Sequence, residues 1–66
     1  MDDYEMIAKA FSSVKSAKLQ TMFDVEGNPI LKVKIANVTL TFYFDVDEFK
    51  DEAKFSRLLI VEEAKP

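Results

Sequence analysis

The densest set of groups able to do chemistry is a run of carboxylates, Asp45, Asp47, Glu48, Asp51 and Glu52, interrupted by a single cation, Lys50. Paired carboxylates can hold a hard cation or divide acid and base work between them. Asp45 and Asp47 open with calcium-loop spacing, but Phe49 stands at the third ligand position and no glycine follows, so the EF-hand geometry is missing. Acid–base catalysis needs its carboxylates in a dry cleft, whereas acids beside a lysine on a helix face stay solvated. The expectation is therefore an acidic patch of these five residues that favours the dipole of a helix start or docks on a partner.

Nucleophiles offer less. The chain has neither cysteine nor histidine, which removes Cys/His and Ser/His/Asp schemes, disulfides, ordinary zinc sites and haem ligation together. Ser12, Ser13 and Ser16 have no base except Lys9 or Lys15, and a Ser-Lys pair needs a desolvated lysine that this segment does not suggest. We expect no catalytic residue, no metal and no cofactor, and read the chain as a non-enzyme.

The elements that must position these groups follow from periodicity. Tyr4, Ile7, Phe11 and Val14 recur at helical spacing and predict a helix from Asp2 to Lys18. Asp2 and Glu5 are spaced as a capping box, and Lys9, Lys15 and Lys18 lie toward the helix end. Leu19, Thr21, Phe23 and Val25 then alternate with Lys18, Gln20, Met22 and Asp24, a strand that stops at the turn Glu26-Gly27-Asn28-Pro29. A second strand sets Leu31, Val33 and Ile35 against Ile30, Lys32, Lys34 and Ala36. A third, from Val38 to about Asp45, sets Val38, Leu40, Phe42 and Phe44 against Thr39, Thr41, Tyr43 and Asp45.

A two-residue loop at Ala36-Asn37 pairs Ile35 with Val38, Val33 with Leu40 and Leu31 with Phe42, inward residue with inward residue. The first hairpin needs an odd loop of three or five residues, or a bulge, because a four-residue loop would set Phe23 opposite Lys32. Asp45 with Glu48 repeats the capping-box spacing and predicts a second helix ending near Phe55, followed by a short strand over Arg57–Glu62. The expected fold class is α+β: a three- to four-stranded antiparallel meander sheet with helices packed on one face, in the order α-β-β-β-α with a final β. Residues 1–66 form one compact domain in this reading. Tyr4, Ile7, Phe11, Phe23, Val33, Leu40, Phe42 and Phe44 point to its core, and Phe49 is assigned there too.

The same register leaves a second set of residues on the outer face of the sheet. Met22, Ile30 and Tyr43 fall in line across three strands, beside Lys32, Lys34 and Thr41. Large apolar groups rimmed by lysines fit contact with a partner or with a second copy of the chain.

Element order and length resemble the double-stranded RNA-binding domain, with Gly27-Asn28-Pro29 in the loop where that family places a nucleic-acid contact. The family grips phosphates with lysines at the start of its second helix, where this chain reads Asp47-Glu48-Phe49-Lys50-Asp51-Glu52. With a formal charge of −3 and a pI near 4.8, only Lys18, Lys32 and Lys34 would face a phosphate backbone. Nucleic acid is therefore the last of the partner expectations.

Small, acidic, cysteine-free α+β chains are similar in character to accessory and inhibitor proteins of bacteriophages and other mobile elements. That resemblance implies a protein-binding module that occupies the surface of a host enzyme or complex. The alternative is a homodimer built on the outer sheet face. No apolar run approaches the ~20 residues of a membrane span, and Met1-Asp2-Asp3-Tyr4-Glu5 is acidic where a secretory signal is basic. A cytoplasmic location with no membrane partner is the expectation.

Overall fold

Asp2 starts the first helix as its spacing with Glu5 predicts: its backbone is extended, and its Oδ1 accepts the Glu5 amide at 2.8 Å. The computed structural model describes residues 1–64. It runs α1 (Asp3–Ser12), β1 (Lys18–Phe23), β2 (Pro29–Ile35), β3 (Val38–Asp47) and β4 (Glu52–Glu62). The strands form one open antiparallel sheet in the order β1-β2-β3-β4, with α1 across one face. The fold is α+β.

The helix stops six residues before the predicted end at Lys18. Ser12 Oγ donates to the Lys9 carbonyl at 2.7 Å and Ser13 Oγ to the Ala10 carbonyl at 2.8 Å. Serines bonding back to their own helix compete with its continuation. The Val14 amide then donates to the Phe11 carbonyl and the Ala17 amide to that of Val14, two tight turns that deliver the chain to β1. Val14 consequently lies exposed instead of on the buried helix face.

Both hairpin registers follow the predicted parity. Phe23 pairs with Pro29 across a five-residue loop, Ile35 with Val38, Val33 with Leu40 and Leu31 with Phe42. The first loop is an Asx-type turn: Asp24 Oδ1 accepts the amides of Glu26 and Asn28, both at 2.9 Å. Gly27 supplies the left-handed residue it needs, at φ 85°.

The predicted second helix is absent, and the resemblance to the double-stranded RNA-binding order ends with it. β3 continues to Asp47, a turn occupies residues 48–51, and β4 runs 11 residues from Glu52. Strand alternation is present in Glu52-Ala53-Lys54-Phe55, with Ala53 opposite Val46 and Phe55 opposite Phe44 on the inner face. A register shift at Tyr43/Phe44 then leaves Ser56 as an extra residue, so the inner face passes to Leu58 and Ile60. That parity change makes the apolar residues of this segment look scattered around a helix axis.

Leu31, Val33, Phe42, Phe44 and Ala53 are the buried core, covered by Tyr4, Ile7, Ala8 and Phe11 of α1. Tyr4 meets Phe44 edge-on at 5.4 Å between ring centroids, and Phe11 meets Phe42 at 5.6 Å. Phe23, at the end of β1, is 69% exposed, and Phe49 is fully exposed, so neither belongs to the core assigned to it. Among the described residues, no helix is long and apolar enough to cross a membrane.

Candidate functional site

The five predicted carboxylates gather at one end of the sheet, on the end of β3, the turn and the start of β4 instead of a helix. Asp47 organises the turn: its Oδ1 accepts the Phe49 amide at 3.0 Å, and its carbonyl accepts the Asp51 amide at 2.7 Å. Asp51 takes a left-handed backbone at φ 52°, a conformation Asp tolerates better than most residues. Asp47 and Asp51 therefore shape the turn, while Asp45, Glu48 and Glu52 present charge to solvent. Phe49 projects from the tip.

The β1–β2 loop joins this end. Asn28 Oδ1 accepts the Val46 amide at 3.2 Å, and its Nδ2 donates to Asp24 Oδ2 at the same distance. The loop adds Asp24, Glu26 and a fully exposed Val25. The amide of Asn28 and the further donors of the turn hold the Asp24 carboxyl below its ordinary value. The N-terminus of α1 closes the other side: Asp2 Oδ2 accepts the Ala53 amide at 3.0 Å and Asp3 Oδ2 the Phe55 amide at 2.8 Å. Donation from Ala53, and then from Glu5, lowers the Asp2 carboxyl in the same way.

Carboxylates thus surround this end of the molecule, where Lys50 and Lys54 are the nearby cations, and two apolar tips stand clear of the surface. Between α1 and the two loops lies a hollow of about 250 Å³, floored by Phe23, Pro29, Val46 and Ala53. It is smaller than the roughly 300–1,000 Å³ of most small-molecule sites. Among the described residues, no three acidic side chains converge as metal binding would need.

The outer face has the predicted line of Met22, Ile30 and Tyr43, and β4 extends it with Arg57. The Arg57 guanidinium sits 4.1 Å from the centroid of the Tyr43 ring, and Met22, Ile30 and Tyr43 are each half-buried by their neighbours. Thr41 is buried in the middle of the sheet. Lys32 and Lys34, with Lys18, Leu19, Gln20 and Thr39, line an open depression of about 530 Å³. Lys34 reaches Glu63 at 3.8 Å, an exposed pair of small energetic weight. The acidic patch and the outer face are thus separate surfaces.

Residue types do not reveal the outward Phe49, whose place in a turn is masked by the helix-like spacing around it. Although they predict the strand over Arg57–Glu62, they point to its burial, whereas the structure leaves it exposed. Leu58, Leu59, Ile60 and Val61 are 41, 49, 61 and 47% exposed, a continuous apolar run open on both faces. Compared with protein-family models, curated proteins and solved structures, the chain matches none.

Proposed function

We infer that the chain is a protein-binding module that acts by occupying a partner's surface, without turnover, and that its acidic end docks on a basic surface. The supporting observation is Phe49, fully exposed on a turn held by Asp47 and ringed by carboxylates. An aromatic held out on a short turn loses little freedom on insertion into a partner pocket, and the surrounding charge steers the approach. Acids spaced along two loops would also compete with phosphates for a basic groove, the mode of action of a small inhibitor or accessory protein.

The test is affinity capture from native lysate with the wild type, Phe49→Ser and a Glu48→Lys, Glu52→Lys double variant. Asp47 and Asp51 are left intact because they shape the turn. The expected outcome is a set of proteins retained by the wild type and lost by both variants, with circular dichroism melts unchanged. A captured set indifferent to both variants overturns the reading.

A further inference from the structure

We propose that the chain self-associates through β4, two copies pairing antiparallel about a two-fold axis that passes beside Ile60 perpendicular to the sheet. The proposal concerns a different surface from the acidic end and does not rest on it.

β4 is an edge strand whose two halves are treated differently. Over Glu52–Ser56 the edge carries a lysine, a bulge and two aspartates, the capping Asp2 and Asp3 at the start of α1, which take the outward amides of Ala53 and Phe55. These devices keep a sheet edge from pairing. From Leu58 to Val61 there is no charge, no proline and no bulge, and among the described residues no strand lies alongside.

The outward groups of this half follow from alternation. The Glu63 amide donates to the Asn37 carbonyl at 2.8 Å, toward β3. In an antiparallel ladder the amides of Val61, Leu59 and Arg57 then also face β3, and those of Leu58, Ile60 and Glu62 face away. A two-fold axis normal to the sheet keeps inner face against inner face, so only registers that pair residues of equal parity are allowed.

Centred on Ile60, the register sets Ile60 against its own copy, Leu59 against Val61 and Arg57 against Glu63, with Leu58 and Glu62 exchanging the flanking hydrogen bonds. Ile60 meets its copy, Leu59 meets Val61 and Leu58 lies against Glu62. Arg57, which stacks on Tyr43, comes opposite Glu63, which reaches Lys34, so that the opposite charges join one cluster along the seam. Centred on Leu59, it would draw bulged Ser56 into the ladder and face Arg57 with Val61. Centred on Val61, it would set Glu62 against Ile60 and Glu63 against Leu59. Complementarity selects Ile60. The resulting eight-stranded sheet carries both helices on one face, and Leu40, Leu58 and Ile60 of each copy become neighbours across the seam.

One strand pair with its flanking side chains is smaller than a standard interface of about 1,600 Å², so assembly is expected at roughly 10–100 µM. Sedimentation across that range is expected to show the mass rising from 7.6 kDa toward twice that value. Ile60→Pro removes an outward amide while leaving the β3 ladder intact, and it is expected to give a monomer with an unchanged circular dichroism spectrum. If that variant fails to fold, cross-linking decides. The chain has no cysteine, so Ile60→Cys introduces one thiol that faces its copy at about 5.5 Å between Cα atoms, within disulfide reach. Leu58→Cys would lie roughly 13 Å from its copy and should not cross-link. A wild type that stays monomeric throughout overturns the proposal and leaves the acidic-end reading untouched. A dimer undiminished by Ile60→Pro, or faster cross-linking of Leu58→Cys than of Ile60→Cys, overturns it as well.

Discussion

Phe44 and Ile60 lie on the same face of the same sheet, on adjacent strands, yet Phe44 is 2% exposed and Ile60 61%. The difference is the reach of α1. Ten helical residues span about 15 Å, whereas the 11 residues of β4 extend about 36 Å. The helix therefore roofs only the half of the sheet nearest Glu52, where it is also pinned by Asp2, Asp3 and the Tyr4 hydroxyl bonded to Thr21. Apolar residue type directs a side chain toward the inner face, but the length of the covering element decides whether that face becomes core.

The contrast is sharpest in side-chain truncation. Phe44→Ala is expected to cost about 3–5 kcal/mol, close to the whole stability of a chain this small. Ile60→Ala in dilute solution should stay within about 0.5 kcal/mol. Urea titration of the pair breaks the comparison if the two losses are similar. Asn28→Ala tests the polar ties of the roofed end: it leaves the part-buried Val46 amide without its acceptor and should cost about 1–2 kcal/mol by the same measurement.

Acid sensitivity should belong to the roofed end too. The folded Asp2 carboxyl lies below its ordinary value of 3.8, so its contribution is complete above that pH and is lost as pH falls through the lower folded-state value. Asp2→Ala is expected to lower the melting temperature by about 5 °C at neutral pH, with the difference from wild type narrowing as pH falls below 3.8. A gap that persists in acid would mean that Asp2 acts through packing instead of charge. Tyr4→Phe, which keeps the ring against Phe44 and removes one exposed hydrogen bond, is expected to cost about 0.5–1 kcal/mol by urea titration, above only the Ile60→Ala loss.

Much of this architecture could be read from residue order. The start of α1, the first three strands and both hairpin registers follow from period and parity, because each has one buried face and a turn that tolerates one pairing. The strand over Arg57–Glu62 is legible from its β-branched apolar run, but the segment from Asp45 to Phe55 did not yield to the same logic. Asp45 and Glu48 have capping-box spacing, but Asp45 is paired in a strand opposite Lys54, and the residue that caps a turn is Asp47. Ser56 reverses the inward parity in mid-strand, which hides that Glu52–Phe55 and Arg57–Glu62 are one continuous strand. The acidic patch was found by composition alone, whereas the exposure of Phe49 depends on that unrecognised turn. The openness of Leu58–Val61 depends on where Ser12 and Ser13 stop a helix far away in sequence.

The clamp between the two ends of the chain also bears on how long the folded state lasts. Each strand pairs only with its neighbour in sequence, while Asp2 reaches Ala53 and Asp3 reaches Phe55 across 51 and 52 residues. Contacts so distant along the chain incur loop-closure entropy before they contribute, so hairpin formation should lead and docking of the helix should follow. Interactions made after the folding barrier govern escape from the native state rather than arrival at it. The two N-terminal aspartates thus act as a latch on lifetime: loosening them should speed unfolding while the meander assembles at its usual rate.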